Sequence, residues 1–288
     1  MIFDVITIFP GFFRSILEYG VLKRAVAGGQ VKVRIHDLRD FTDDVHRTVD
    51  DRPFGGGPGM LFKPEPIFKA VDAIKAEARG EFPVVLLSPQ GRLLRQAIVE
   101  ELVRAARSPQ GGEAHMALIC GRYEGVDNRV AEGLASNEIS IGDYVLSGGE
   151  LAAAVVMECC TRLLPGVMGN EASGEEESFS PALSEIGEAH GNGSMDHNRR
   201  SSGTIRELSR GLLGFPQYTR PAEFRGRRVP EVLLSSNHEQ IRRWRRRQAL
   251  ERTWHRRPEL LEGCVLSAED QEMLAQVRCR AVATETEQ

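Results

Sequence analysis

Between Asn137 and Gly166 the chain passes through Ile-Gly-Asp-Tyr-Val-Leu-Ser-Gly-Gly-Glu (141–150) and then runs without glycine or proline to Leu164. Ile139, Ile141, Tyr144 and Leu146 fall at the near-alternate spacing of a short strand. Ser147-Gly148-Gly149 interrupts it, since two residues without a β-carbon tolerate a bend. Glu150 to Leu164, rich in Ala, Leu, Val and Met, predicts a helix that Pro165-Gly166 ends. A strand, a glycine turn with bare backbone and a helix pointing its N-terminus at that turn form a cradle for a small molecule. Such a unit belongs in a layered α/β architecture.

The preceding residues supply the layers. Ile2 to Phe9 is apolar except for Asp4 and Thr7, which predicts a strand buried on both faces. Phe13, Ile16, Leu17, Val21 and Leu22 keep helical spacing up to Gly28-Gly29, and Val31, Val33 and Ile35 alternate as a half-buried strand. Residues 36–63 show almost no period. Ile67, Val71, Ile74 and Ala78 predict a helix, Val84 to Leu87 a strand, and Leu94, Ala97, Ile98 and Leu102 another helix. Met116 to Cys120 reads as a strand, followed by a short helix over Val126 to Leu134. Strands alternating with helices indicate a mainly parallel sheet, whose ligand sites lie at the carboxyl ends of the strands. Three such ends carry loops of one character: Ser88-Pro89-Gln90-Gly91, Gly121-Arg122-Tyr123-Glu124, and Ile141 to Gly149. The glycine fingerprint of dinucleotide-binding folds is missing after the first strand, and Gly55 to Gly59 lacks the Lys-Ser/Thr of a phosphate-binding loop. That run reads as a flexible surface loop.

At 288 residues the chain is long enough for two cores. A net charge of −4 excludes a uniformly basic coat, but the arginines crowd into residues 220–257. Five cysteines without a C-x-x-C pair indicate neither a zinc site nor a disulfide framework, and fit a reducing cytoplasm. Met1-Ile2-Phe3-Asp4 carries an acid where a secretory signal needs a base, and the apolar run Leu151 to Met157 is too short to span a membrane. A soluble, cytoplasmic protein is expected, with no metal centre. Residues 1–168 read as the α/β domain and 169–210 as a polar interdomain linker, poor in aromatics. His190, Asp196 and His197 in that linker lack ligand spacing. Residues 211–288 read as a small helical domain, with capping boxes at Ser236 to Glu239 and Ser267 to Asp270. Arg242 to Arg247, then Arg252, Arg256 and Arg257, interleave with Trp244 and Trp254. That pattern suits RNA phosphates and bases, or equally a solvated helix face.

The segment 141–150 resembles the cofactor loop of the bacterial tRNA (guanine-N1)-methyltransferases, the TrmD branch of the SPOUT class. Cys-Gly-Arg-Tyr-Glu-Gly (120–125), the run from His46 to Met60, Leu-Ser-Pro-Gln-Gly (87–91), Gln217-Tyr218-Thr219-Arg220-Pro221 and the run from Arg252 to Leu261 are similar as well, in the family's order. The chain departs from the family by about 30 residues that look inserted near Pro181 to Arg210. The resemblance implies a deep trefoil knot, an exception to unknotted topology, and a twofold homodimer. It also implies S-adenosylmethionine as methyl donor, with magnesium assistance reported in the family, and tRNA rather than DNA or a membrane as partner. The implied reaction is methylation of guanosine 37 at N1. The run Gly55 to Gly59 becomes, by the same resemblance, a loop that helps form the substrate site.

For the donor, the resemblance implicates Pro89, Gly121, Tyr123, Glu124, Ile141, Gly142, Asp143, Tyr144, Val145, Leu146, Gly148 and Gly149. Guanine N1 carries a proton, so its methylation requires a base, and a carboxylate is suitable. The family's aspartate in Glu-Asp-Ser-Phe is matched by Glu177 in Glu176-Glu177-Ser178-Phe179, with Glu175 and Glu176 as alternatives. The family's helix arginine maps to Arg162, which would bond guanine O6 and stabilise charge as N1 loses its proton. An i,i+4 ion pair with Glu158 is the alternative for Arg162. Rival readings are a SPOUT methyltransferase acting on another base and an RNA-binding homologue without a base.

Overall fold

A computed structural model describes residues 1–78, 81–107, 113–168, 178–179, 211–262, 264 and 266–286. Contacts divide the chain into two units, Met1–Gly169 and Asn170–Gln288. The first is organised around a five-stranded sheet in which β1 (Ile2–Thr7), β2 (Lys32–Asp37), β5 (Val84–Leu93), β6 (His115–Cys120) and β7 (Asn137–Ser140) are parallel in the order β2-β1-β6-β5-β7. β3 (Asp50–Asp51) and β4 (Leu61–Phe62) form a separate short antiparallel pair. β1 and β6 are buried along their whole length, as their apolar composition requires.

Alternation along the strands sorts their side chains into two cores. On one face Phe3, Val5, Val85, Leu87, Met116 and Leu118 meet α1 (Phe13–Leu17), α2 (Gly20–Ala27), α4 (Gln96–Ala105) and α6 (Glu150–Arg162). On the other, Ile6, Val84, Leu86, Ala117 and Ile119 meet α3 (Pro64–Ala78) and α5 (Asn128–Gly133). Each fully buried Leu or Phe contributes roughly 2 kcal/mol to these cores. α3 buries Ile67, Val71 and Ile74, the stripe expected from its period.

Several expectations are corrected. The single helix expected from Phe13 to Gly28 is two, parted at Glu18 and Tyr19. α4 buries Val99, Leu102 and Val103 while Ala97 is exposed, so its buried face is rotated from the expected one. The strand expected to stop at Leu87 continues to Leu93, with Ser88 to Gly91 bulging out, because Leu87 and Arg92 both pair with Ile139. The strand expected through Leu146 stops at Ser140. β7 is an edge strand whose ladder to β5 ends at Leu93 and Ser140, so nothing remains beyond it to pair with.

The second unit packs Leu212, Ala249, Leu250 and Met273 into a small core between α8 (His238–Arg256) and α10 (Ala268–Thr286). α7 (Glu231–Leu234), α9 (Glu259–Glu262) and the hairpin β8 (Glu223–Phe224) and β9 (Arg227–Arg228) complete it among the described residues. The box at Ser267 forms as expected: the Asp270 amide donates to Ser267 Oγ at 3.1 Å and the Ser267 amide to the Asp270 carboxylate at 3.0 Å. The cap of α8 is Asn237, not Ser236, with its side chain accepting from the Gln240 amide. Ser178 and Phe179 are joined to the chain beyond residue 210: the Gly214 amide donates to Ser178 Oγ at 2.8 Å, and the Phe179 amide to the Leu212 carbonyl at 3.1 Å.

Candidate functional site

The carboxyl ends of β5, β6 and β7 open into a cavity of about 250 Å³. Its lining includes Pro89, Gly121, Tyr123, Glu124, Ile141, Gly142, Tyr144, Val145, Leu146, Gly148 and Gly149. Three loops far apart in sequence therefore converge where a parallel sheet places ligands. The Ser88 to Gly91 bulge supplies one wall without ending β5. Tyr123 and Tyr144 expose their rings, at 53% and 56%, so a flat apolar surface faces solvent. Tyr123 holds a positive φ of 58° and packs its ring edge-on against Phe62 at 5.7 Å. A non-glycine residue in that region is uncommon and is held there by its surroundings.

Two of the glycines, Gly149 and Gly91, act through closeness rather than bending. Gly149 has ordinary helical φ and ψ of −78° and −5°, so the turn does not need its flexibility. It needs its missing side chain: a β-carbon there would lie 2.8 Å from Cys120 Cα, in the backbone of β6. The Gly149 amide donates to the Gly121 carbonyl at 2.9 Å, which ties the start of α6 to the end of β6. Gly91 is crowded in the same way, with a β-carbon falling 2.4 Å from the backbone of Glu138 and Ile139.

Beneath the cavity lies a polar contact that reading the sequence did not single out. Glu150 opens α6 and is buried; it accepts from Thr7 Oγ1 at 2.9 Å and from Arg122 at 3.2 Å. The Arg122 guanidinium lies 4.4 Å over the Phe9 ring. An acid in a first helical turn and a buried threonine in β1 were visible signals, but their meeting across 143 residues was not. Burial pushes the Cys120 thiol up, and the Cys160 thiol, near the far end of α6, up to about 12, so neither carries much thiolate. The run Gly55 to Gly59 is tied to the cavity rim, since the Glu124 amide donates to the Met60 carbonyl at 3.1 Å.

Three expected residues stand apart. Asp143 is exposed and outside the lining. Arg162 closes α6 at the end opposite Glu150; the helix has 13 residues, so its ends are roughly 18 Å apart. Glu177 lies outside the described residues, as do Glu175, Glu176 and the segment 181–210. Among the described residues no cluster of His, Cys, Asp or Glu is arranged to hold a metal ion.

Away from the cavity, Asp4 is fully buried and accepts two bonds from Arg34, both at 2.7 Å, with His36 at 2.6 Å and His115 also in contact. Burial alone would raise this carboxyl. The bonds from His115, His36 and Arg34 outweigh it and hold Asp4 well below the usual carboxylate range.

The arginines of α8 divide between roles. Arg246 makes a bidentate pair with buried Asp270, at 2.7 and 2.9 Å. Arg242 pairs with Glu239 and Arg243 with Glu269. Arg245 covers the Phe215 ring at 4.8 Å. Part of the run expected to face phosphates is thus engaged within the unit.

Residues 1–263 match the model of a family described as tRNA (guanine-1)-methyltransferase TrmD. The chain belongs to that family. It is 52% identical over 278 residues to a tRNA (guanine-N(1)-)-methyltransferase of Koribacter versatilis, covering 96% of this chain and 97% of the relative. Proteins of the same name from Moorella thermoacetica (48%, covering 96% of each chain) and Actinobacillus succinogenes (44%, covering 98% and 100%) are also similar. Each of the three converging loops lies inside the matched span and borders the same cavity. Membership disfavours the rival readings of another target base or a non-catalytic homologue.

Proposed function

We propose that the protein transfers a methyl group from S-adenosylmethionine to N1 of guanosine 37 in tRNA, just 3′ of the anticodon, and so supports reading-frame maintenance. The observation that carries this is the family match across residues 1–263. The cavity supports the donor assignment: the missing β-carbon of Gly149 lets α6 start close against β6 at its edge, and two exposed tyrosine rings offer a surface for a flat heterocycle. Pro89, Gly121, Tyr123, Glu124 and the loop from Ile141 to Gly149 would hold the donor. When bound, it supplies a methyl group on a sulfonium, a reactive centre that requires positioning more than further activation.

The chain's own part is to orient the guanine, accept its N1 proton and stabilise the charge left on O6. Glu177 takes the proton in this reading, and Arg162 donates to O6. Arg162 stands a helix length from the cavity of its own chain, so it would serve the cavity of a second copy. α6 supports such a homodimer, since Leu151 (51% exposed) and Val155 (40%) share one helix face with Arg162. In the same reading residues 1–168 form a knotted SPOUT domain, 169–210 a linker and 211–288 the tRNA-binding domain. The working compartment is the cytoplasm, and no helix among the described residues is long and apolar enough to cross a membrane.

Nucleoside analysis tests the reaction directly. Incubation with S-adenosylmethionine and a tRNA transcript carrying guanosine at 36 and 37 should yield N1-methylguanosine at 37. Methylation at another base, or none despite donor binding, overturns the reading. Light scattering should give twice the chain mass of 31.9 kDa.

A further inference from the structure

A second cavity, of about 400 Å³, lies in the second unit, where residues 215–234 curve over the start of α8. Phe215, Tyr218, Leu233 and Ile241 give it apolar walls, and Arg220 and Arg245 give it charge. No acid lies among the described lining residues. Tyr218 is half exposed, with its ring 6.4 Å from that of Trp244. The Arg245 guanidinium lies 4.8 Å over the Phe215 ring. Ala222 and Val229 also belong to the lining and close the base of the β8–β9 hairpin, through the Val229 amide to the Ala222 carbonyl at 2.9 Å. The hairpin therefore stands on the rim and carries exposed Phe224 with Arg225, Arg227 and Arg228.

This chemistry selects its occupant. A pocket lined by an exposed aromatic ring and a guanidinium fits a flat heteroaromatic group. Arginines on the rim, where the hairpin's one acid, Glu223, is paired to Arg228, fit a phosphate attached to that group. We propose that this cavity receives an unstacked nucleobase of the tRNA other than the guanine that is methylated, with the hairpin arginines on the flanking phosphates. The proposal rests on tRNA being the substrate and deepens it by naming a second point of recognition. Tyr218 supplies the stacking face, and Arg220 and Arg245 neutralise the backbone beside it.

Binding of tRNA in the absence of donor, together with steady-state methylation, tests this. Truncating one stacking ring should weaken tRNA binding roughly 5- to 150-fold. Tyr218→Ala should show that loss in Kd and in KM, with kcat and donor affinity unchanged, and Tyr218→Trp should restore most of it. A set of tRNAs, each with one abasic nucleotide outside positions 36 and 37, should contain one that reproduces the loss with the unaltered protein and shows no further loss with Tyr218→Ala. Additive losses at every position, or an unchanged Kd in Tyr218→Ala, overturn the proposal. So does a fall in mass by light scattering in Tyr218→Ala, which would make the cavity a contact between copies. Donor-free binding keeps the two readings apart: a missing N1-methylguanosine counts against the reaction, whereas an indifferent Tyr218 counts against this cavity alone.

Discussion

In the proposed function the two units present groups to a ligand with opposite materials. The first builds its cavity mainly from backbone: bulged Ser88 to Gly91, the Gly121 carbonyl, and Gly149 pressed against β6. Its position is set by a sheet with a core on both faces. The second presents long cationic side chains from a small core and uses some of the same residue type to hold itself together, as Arg246 does with Asp270. Backbone sites tolerate little substitution, because a β-carbon has nowhere to go. A side-chain site divides its residues between folding and binding, so counting arginines overstates the number that reach RNA.

The largest expected effect concerns the proposed base. Glu177→Gln keeps the shape but removes the proton acceptor, so kcat should fall about 100- to 10,000-fold while tRNA and donor still bind. Glu177→Asp should stay near the parent rate, and Glu175→Gln and Glu176→Gln should change it little. Normal turnover in Glu177→Gln would mean that another group takes the proton. Next in size is the folding role of an arginine: Arg246→Ala leaves Asp270 buried without its partner and should destabilise the second unit by about 3 kcal/mol, read by denaturant melting. Burial would raise the Asp270 carboxyl, but the Arg246 bonds outweigh it and hold it low. A depressed carboxylate contributes stability above the unfolded value of about 4 and loses it as pH falls through the folded value. Unaltered protein and Arg246→Ala should therefore converge in stability in acid.

A backbone site should respond differently. Gly149→Ala forces a methyl group into the β6 backbone and should lower stability by about 1–3 kcal/mol, with donor affinity falling alongside in calorimetry. Loss of neither would mean that the two segments can move apart. Arg227→Ala, on the exposed hairpin, should leave melting unchanged and reduce the slope of log K against log salt for tRNA by about 1. The smallest effect is expected from replacing residues 181–210 with a few glycines and serines, because bonds from Phe179 and Gly214 already join the flanking chain. Donor affinity should be nearly unchanged, and a large loss would make the insertion part of the site.

Much of the fold was legible where its signals are local. β1 has apolar residues on both faces, α3 repeats its stripe of Ile67, Val71 and Ile74, and Ser267 and Asp270 meet within one turn. The loop from Ile141 to Leu146 was misread because four apolar residues at near-alternate spacing suit a strand and a cavity lining alike. Only the loss of a pairing partner after Ser140 separates the two. The cap at Asn237 was missed because Ser236 beside it satisfies the same pattern.

The sequence by itself determined the alternation of strands and helices, the family, and the three strand-end loops that border the cavity, since periodicity and motif order are properties of neighbouring residues. Tertiary structure alone decided why Gly149 must be glycine, why Glu150 can be buried and which arginines are engaged in folding. Those answers depend on distances between segments up to 143 residues apart, such as Thr7 and Glu150, and burial and Coulomb energies follow separation in space, not in sequence.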